Sequence, residues 1–253
     1  MSAIRERTAC RAVAALNRLS SLADLSEASI RLIQDLSDLS SIPAGVELGS
    51  EREAALRPRF VLGGWAARVR WLPDGRRQIL NFILPGESIG VCERPSPLSL
   101  ATMVSLTPMQ FIDAVPVQRA LNSTDPTFAD LRDAIHMAAS LDEAFLLSQV
   151  LRLGRQTAYE RLCHLLLELR DRLSMCGLGE ETHFPLPLTQ ETLADATGLS
   201  IVHINRVLQQ LRREGLVAVH GGRARLLQPE LLRTIADYRK PLVSAEAPLR
   251  PLF

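Results

Sequence analysis

LTQETLADATGLSIVHINRVLQQLRREGL, running from Leu188 to Leu216, reads as two helices around a tight turn. Thr189 can cap the first helix through its hydroxyl, with Thr192 standing three residues on where a complete capping box would have an acid. Leu193, Ala194 and Ala196 give that helix a small apolar face. Gly198 falls where the chain must reverse with positive φ, and Leu199 follows it to fill the space between the helices. Ser200 caps a second helix whose Ile204, Val207, Leu208 and Leu211 recur at helical spacing and face inward. On the other side lie His203, Asn205, Arg206, Gln209, Gln210, Arg212 and Arg213. From Ser200 to Arg225 there are five arginines (206, 212, 213, 223, 225) and one acid, Glu214. Then come Leu216–Val219, the pair Gly221-Gly222 and Arg223–Leu227, which read as a strand-turn-strand wing. A plain helical hairpin with a solvated arginine face would leave the A-x-x-x-G-L-S corner, the charge bias and the wing without a reason. A helix-turn-helix that reads double-stranded DNA accounts for all three.

The rest of the chain is consistent with such a reader and excludes several other classes. At 253 residues it can bury a sizeable core and divides most simply into two domains. Hydrophobic residues make up 47% and aromatics only 4%, so the cores must be built of Leu, Val, Ile and Ala. A net charge of +1 rules out a uniformly basic coat, but a local basic face is enough for a sequence-specific reader. Lys240 is the only lysine, which excludes a P-loop and lysine-based catalysis. Cys10, Cys92, Cys163 and Cys176 are scattered without a C-x-x-C pair, arguing against a disulfide framework or zinc finger and for a reducing cytosol. No apolar run reaches transmembrane length, and Arg, Asp and Glu interrupt the first thirty residues, so a soluble cytoplasmic protein without membrane contact is expected. There is no metal-spaced His/Cys set, nucleophile elbow or phosphate loop. An enzyme is therefore not expected, nor is a bound metal or cofactor.

Taken in order, residues 1–20 carry Arg5, Arg7, Arg11 and Arg18 among Ala, Val and Leu and form either an amphipathic lead-in helix or a frayed end. Leu25–Leu39 has helical spacing through Ile30, Ile33 and Leu36. From Ile42 the pattern becomes strand-like. Arg59–Leu72 is a long extended run broken at Gly63-Gly64, Pro73-Asp74-Gly75 is a hairpin turn, and Arg76–Leu84 is the partner strand ending at Pro85-Gly86-Glu87. Two further strands are expected at Leu98–Leu106 and Met109–Val115. Asp125-Pro126-Thr127 begins a helix reaching about Leu153, with Phe128, Leu131, Ile135, Ala138, Leu141, Phe145 and Val150 at three-to-four spacing. Gly154 reads as a hinge, Gln156–Leu173 as another amphipathic helix, Met175–Pro187 as a loop and Pro229–Tyr238 as a short helix. The proline-bearing tail from Lys240 is expected to lack fixed structure.

Together these features resemble the Crp/Fnr superfamily of bacterial transcription regulators, over about Leu22 to Tyr238. The resemblance implies an α+β protein with an N-terminal cyclic-nucleotide-binding-like β-roll, a long dimerisation helix and a C-terminal winged helix-turn-helix. The corresponding division is a lead-in at 1–21, the β-roll sensor at 22–124, the dimerisation helix at 125–153, the DNA-binding domain at 154–239 and the tail at 240–253. It also implies a homodimer acting on a roughly palindromic operator, with RNA polymerase as a further partner. Arg206 holds the position from which the family's recognition helix contacts a base, and a bidentate arginine on guanine is the commonest specific contact. Ile201 and Val202 are apolar where the family frequently has Arg or Glu, so they would meet thymine methyls and the familiar operator is not assumed. His203, Asn205 and Gln209 would add polar readout, Thr189 and Ser200 would meet phosphate oxygens, and Arg223 and Arg225 on the wing would meet the backbone.

Members that bind cyclic AMP follow the P-G-E corner with a Gly-Glu and an Arg-Ser-Ala. Here Val91 stands where the ribose-binding acid would be and Ser99-Leu100-Ala101 where Arg-Ser-Ala would be. Arg94 is the nearest arginine, set between Glu93 and Pro95. Each missing charge-assisted bond costs roughly 1.5–3 kcal/mol, so cyclic-nucleotide binding is not expected. A lone Cys10 cannot supply the thiolates of an iron–sulfur cluster, and no histidine falls in the β-roll to hold haem. Cys92 is either a small packing residue or a ligand-facing thiol, and the effector is unknown. A second reading makes the chain a small-molecule or cyclic-nucleotide signalling module whose sensor is the active part. The altered cassette and the unexplained arginine helix count against it.

Overall fold

A computed structural model describes residues 12–49, 56–92 and 101–241. The helix over 12–20 (α1) is followed by α2 (Glu27–Gln34) and a β-roll of two four-stranded antiparallel sheets. One sheet has the order β1-β8-β3-β6 and the other β2-β7-β4-β5. These strands are β1 (Leu39–Ile42), β2 (Glu47–Gly49), β3 (Arg59–Gly63), β4 (Ala66–Trp71), β5 (Arg77–Ile83), β6 (Ser88–Ile89), β7 (Thr102–Ser105) and β8 (Met109–Asp113). The extended run broken at Gly63-Gly64 thus supplies one strand to each sheet. Val61, Ala66, Ile83, Ile89, Met103, Met109 and Phe111 fill the space between the sheets.

The helix expected over Leu25–Leu39 stops at Gln34. Ser26 caps its start, and Leu39 belongs to β1, pairing with Ile112 through a backbone ladder that helical spacing in the sequence did not show. The strand expected to reach Val115 ends at Asp113, whose Oδ1 accepts the Val115 N–H at 2.8 Å and starts an unforeseen helix, α3 (Val115–Asn122), with a proline in its first turn. Arg94, Ser99 and Leu100, the beginning of the Leu98–Leu106 strand, Cys10 with the first part of the lead-in, and the tail beyond Pro241 lie outside the described residues.

Asp125 caps a 3-10 turn, Pro126–Phe128, that feeds the 27-residue α4 (Ala129–Arg155). Leu131, Ile135, Leu141 and Phe145 are buried in the protomer's own core with α1, α2 and α3, so these residues do not form an outward seam. The exposed large apolar side chains of α4 are Leu146, Leu147, Val150 and Leu151. Gly154 does not break the chain. The helix passes through it to Arg155, and the turn comes at Gln156, whose backbone is extended. The next helix, α5 (Ala158–Met175), starts with a complete capping box in which Thr157 and Glu160 satisfy each other's backbone N–H groups.

After α5 the expected loop contains β9 (His183–Pro185), which joins β10 (Val217–His220) and β11 (Arg223–Leu226) in a three-stranded sheet of order β10-β11-β9. Three residues of alternating burial are too short a run to read as a strand without the partner they pair with. Between them lie α6 (Gln190–Thr197) and α7 (Ile201–Arg213), and α8 (Pro229–Ala236) closes the domain on α5. One apolar cluster runs without interruption from Trp65, Val69, Ile79 and Phe82 of the β-roll into Leu162, Leu166, Leu193, Ile204 and Leu211. Among the described residues no helix is long and apolar enough to cross a membrane.

Candidate nucleic-acid interface

The corner between α6 and α7 is built by local chemistry. Thr189 Oγ1 accepts the Thr192 N–H at 3.1 Å, and Ser200 Oγ accepts the His203 N–H at 3.2 Å, so each helix starts on a hydroxyl cap. Gly198 has φ +67° and its N–H returns to Ala194 O, the left-handed cap that lets the chain reverse. The carbonyls left at the end of α6 are met from elsewhere: Arg161 Nη1 donates to Thr197 O at 3.0 Å and Gln149 Nε2 to Ala196 O at 2.8 Å. The corner is therefore held by both α4 and α5.

Ile204, Val207 and Leu211 are buried and Leu208 is half-buried, so the inward stripe of α7 is the one its spacing implied. Ile201, Val202, His203, Arg206 and Gln209 are exposed, and Val202, at 70%, is an apolar side chain left largely to solvent. Ile201, Val202, Asn205, Arg206 and Gln209 share one shallow face. Gln209 Nε2 donates to Asn205 Oδ1 at 2.8 Å, which orients the two amides relative to each other. A second groove, of about 480 Å³, runs between the start of α6, the flank of α7 and the wing. It brings Thr189, Asn205 and Gln209 together with Gln190, Arg212 and His220. Ser200 lies at the other end of α7 beside Ile201, facing the β4–β5 hairpin.

On the wing, Ala224 and Leu226 point into the core while Arg223 and Arg225 are exposed, the period-two alternation of a half-buried strand. They do not line the groove, whose wing side is formed by Val217, Val219, His220 and Gly221. Arg212, His220 and Gln190 were not singled out from the sequence as contact residues. Arg212 was recognisable only as part of a charged face, and it is the fold that turns it toward the wing, where Nη2 donates to Val219 O at 3.3 Å. The one acid of the segment, Glu214, is engaged by the Tyr159 hydroxyl and by Gln210 Nε2. Those bonds hold its carboxyl below the usual range, while burial and the same carboxylate push the Tyr159 phenol up.

An exposed, hydroxyl-capped second helix with a basic flank and a β-wing, behind a β-roll and a long helix, defines a DNA-binding regulator. Residues 160–235 match the Crp-like helix-turn-helix domain family. Over 190 residues the chain is 30% identical to the transcriptional activatory protein AadR of Rhodopseudomonas palustris, spanning 75% of this chain and 77% of that protein. It is also 30% identical over 195 residues to the nitrogen fixation regulation protein FixK of Bradyrhizobium diazoefficiens, spanning 76% and 79%. The structure of FixK2 from Bradyrhizobium japonicum superposes with a TM-score of 0.66 at 25% identity, covering 81% of this chain and 98% of that one. A transcriptional regulator of the CRP family from Thermus thermophilus shares the fold, with a TM-score of 0.55 at 23% identity over 78% of this chain and 96% of that one. The chain belongs to the Crp/Fnr superfamily and is a DNA-binding transcription regulator.

Proposed function

We propose that the chain works as a homodimer that places α7 of each subunit in the major groove of one operator half-site, the two centres roughly 34–36 Å apart. The observation that carries this reading is the outward face of α7, where Ile201, Val202 and Arg206 are exposed beside amides already oriented by the Asn205–Gln209 bond. Arg206 reads a guanine, Ile201 and Val202 meet thymine methyls, and His203, Asn205 and Gln209 add polar contacts. Thr189 and Ser200 at the helix starts, with Arg223 and Arg225 on the wing, meet phosphates. Working units at 22–124, 125–153 and 154–239 match this division of labour, although an apolar cluster joins sensor and reader.

Dimerisation uses the face of α4 that the protomer leaves uncovered. Ser140, Glu143, Leu147, Val150 and Gly154 follow one another at alternating three- and four-residue steps and are all exposed, with Leu147 at 65% and Val150 at 69%. That is the spacing of a coiled-coil seam, apolar toward its C-terminal end. The sensor does not take cyclic AMP in this reading. Val91 is half-buried against apolar neighbours, and Met103, Met109 and Phe111 occupy the roll's interior. No catalytic step is required, the site of action is the cytoplasm, and relatives named as activators favour a contact with RNA polymerase.

Selection of bound sequences from random duplex DNA, with and without cyclic AMP, tests the assignment. A twofold-symmetric motif obtained without ligand supports it, whereas a motif that requires cyclic AMP overturns the sensor reading. Val150→Arg places a charge on the seam and should convert a dimer to monomer in analytical ultracentrifugation. A wild-type monomer would refute the dimer.

A further inference from the structure

The Pro85-Gly86-Glu87 corner of the β-roll is met by a side chain of the DNA-binding domain. Arg172 of α5 is fully buried and all five of its N–H donors have acceptors. Nε donates to Glu87 Oε1 at 3.0 Å, and Nη2 donates to the same carboxylate at 2.8–2.9 Å and to Phe82 O at 2.8 Å. Nη1 donates to Asn81 Oδ1 at 2.9 Å and to Glu168 Oε1 at 3.3 Å. The guanidinium lies over the Phe145 ring, 4.9 Å from its centre. Glu87 also accepts the Leu84 N–H at 3.0 Å and has Arg18 of α1 at 3.4 Å. Burial alone would raise the Glu87 carboxyl, but Arg172 and Arg18 outweigh it and hold it below its usual range.

The bonds do not stop at Arg172. Glu168 turns its second oxygen to Arg152 Nη1 of α4, at 2.5 Å. Arg152 Nε donates to Gln149 Oε1 at 2.9 Å. Gln149 then donates through Nε2 to Ile79 O of β5 at 3.1 Å and to Ala196 O at the end of α6 at 2.8 Å. A continuous buried chain of polar groups, Glu87–Arg172–Glu168–Arg152–Gln149, therefore joins the sensor corner to the helix-turn-helix. Moving the reading head and α5 away from the β-roll would break the Glu87–Arg172 bonds and leave Arg172 with Glu168 as its remaining carboxylate partner, so the separated placement is disfavoured. Outside the chain, Arg77 Nη2 at 2.6 Å from Asp195 and Gln78 donating to Asp195 O fasten the same helix to β5.

We propose that this internal chain holds the reading head in its DNA-competent placement without a small molecule, with Arg172 and Gln149 as positioning residues. The inference rests on α7 being the reading helix, and it extends that reading to how α7 is held.

Hydrogen exchange of the full-length chain, followed by mass spectrometry, tests it without DNA and so independently of the operator. Glu87→Gln alters only the sensor end, yet exchange over residues 190–199 should rise about tenfold while the wing, 217–226, stays unchanged. Gln149→Met removes the bonds to Ala196 and Ile79 without touching the 84–89 corner, and should, reciprocally, raise exchange over 84–89. With a selected operator, each variant should lose about tenfold in affinity, and the double variant should lose no more than the more damaging single one. The proposal is overturned if increases stay local to each substitution, if the whole chain exchanges faster together, or if the two losses in affinity multiply. If Glu87→Gln does not fold, the response of 84–89 to Gln149→Met decides alone.

Discussion

Replacing Gly86 by alanine measures how tightly the sensor corner is pressed against the DNA-binding domain. Gly86 has φ +86°, and a Cβ added there would lie 2.5 Å from Cys176 Sγ at the end of α5 and 2.8 Å from Ala14 O of α1. Gly75, at the tip of the β4–β5 hairpin, has nearly the same φ, +84°, but nothing lies within 4 Å of its added Cβ. Both substitutions carry the backbone cost of a left-handed non-glycine residue, about 1–2 kcal/mol. Only Gly86→Ala adds overpacking, about 1–3 kcal/mol, because the Ala14 carbonyl is backbone and cannot rotate aside. The expected losses are about 1–2 kcal/mol for Gly75→Ala and about 2–5 kcal/mol for Gly86→Ala. Urea unfolding followed by circular dichroism reads the difference. Adding Cys176→Ala to Gly86→Ala should restore part of the loss, since the sulfur contact goes and the carbonyl contact remains. Equal losses at Gly75 and Gly86 would refute the close approach of the corner to α5.

At the interface, Arg206→Ala should lose roughly 1–3 kcal/mol of operator affinity and relax preference at one base pair, read by competition with single-base operator variants. Arg223→Ala should instead weaken all sequences alike and reduce the slope of log affinity against log salt by about one. His164 supplies a pH dependence. Burial, with Arg152 nearby, brings its imidazole down from 6.5 to about 4, and Gln156 Nε2 sits 3.3 Å from its Nδ1. The unfolded chain takes up a proton that the folded one refuses. The stabilisation from His164 is therefore complete above pH 6.5 and is lost as pH falls toward 4, about 3 kcal/mol in all. His164→Gln should flatten that part of a stability–pH curve; an unchanged slope would show that other groups cause it. Thr157→Ala, which removes the α5 capping box, should cost about 1 kcal/mol in the same unfolding assay.

The reading segment was legible because its structure is decided locally. A hydroxyl one residue before each helix, a glycine at the corner and apolar residues at helical spacing describe α6 and α7 with no knowledge of partners. The hairpin turn at Pro73-Asp74-Gly75 and the period-two wing are local in the same sense. Misreadings arose where the deciding bond comes from far along the chain. Leu39 looked helical and is held in β1 by β8, about 70 residues later. His183–Pro185 looked like loop and becomes β9 because β11 pairs with it. At Gly154 the reason is different: the Thr157–Glu160 capping box is local and marks the start of α5, so the chain turns at Gln156 and α4 runs through the glycine.

By itself, then, the sequence determined the class: a β-roll, a long helix and a winged helix-turn-helix whose second helix carries arginines and amides outward, since periodicity, caps and turn residues act over a few positions. Tertiary structure alone decided which face of α4 is left uncovered, which side chains share the groove with Thr189 and Asn205, and that Glu87 belongs to Arg172. The charges of that pair lie 85 residues apart in the chain. Only a fold that buries them together makes their desolvation tolerable and their separation costly.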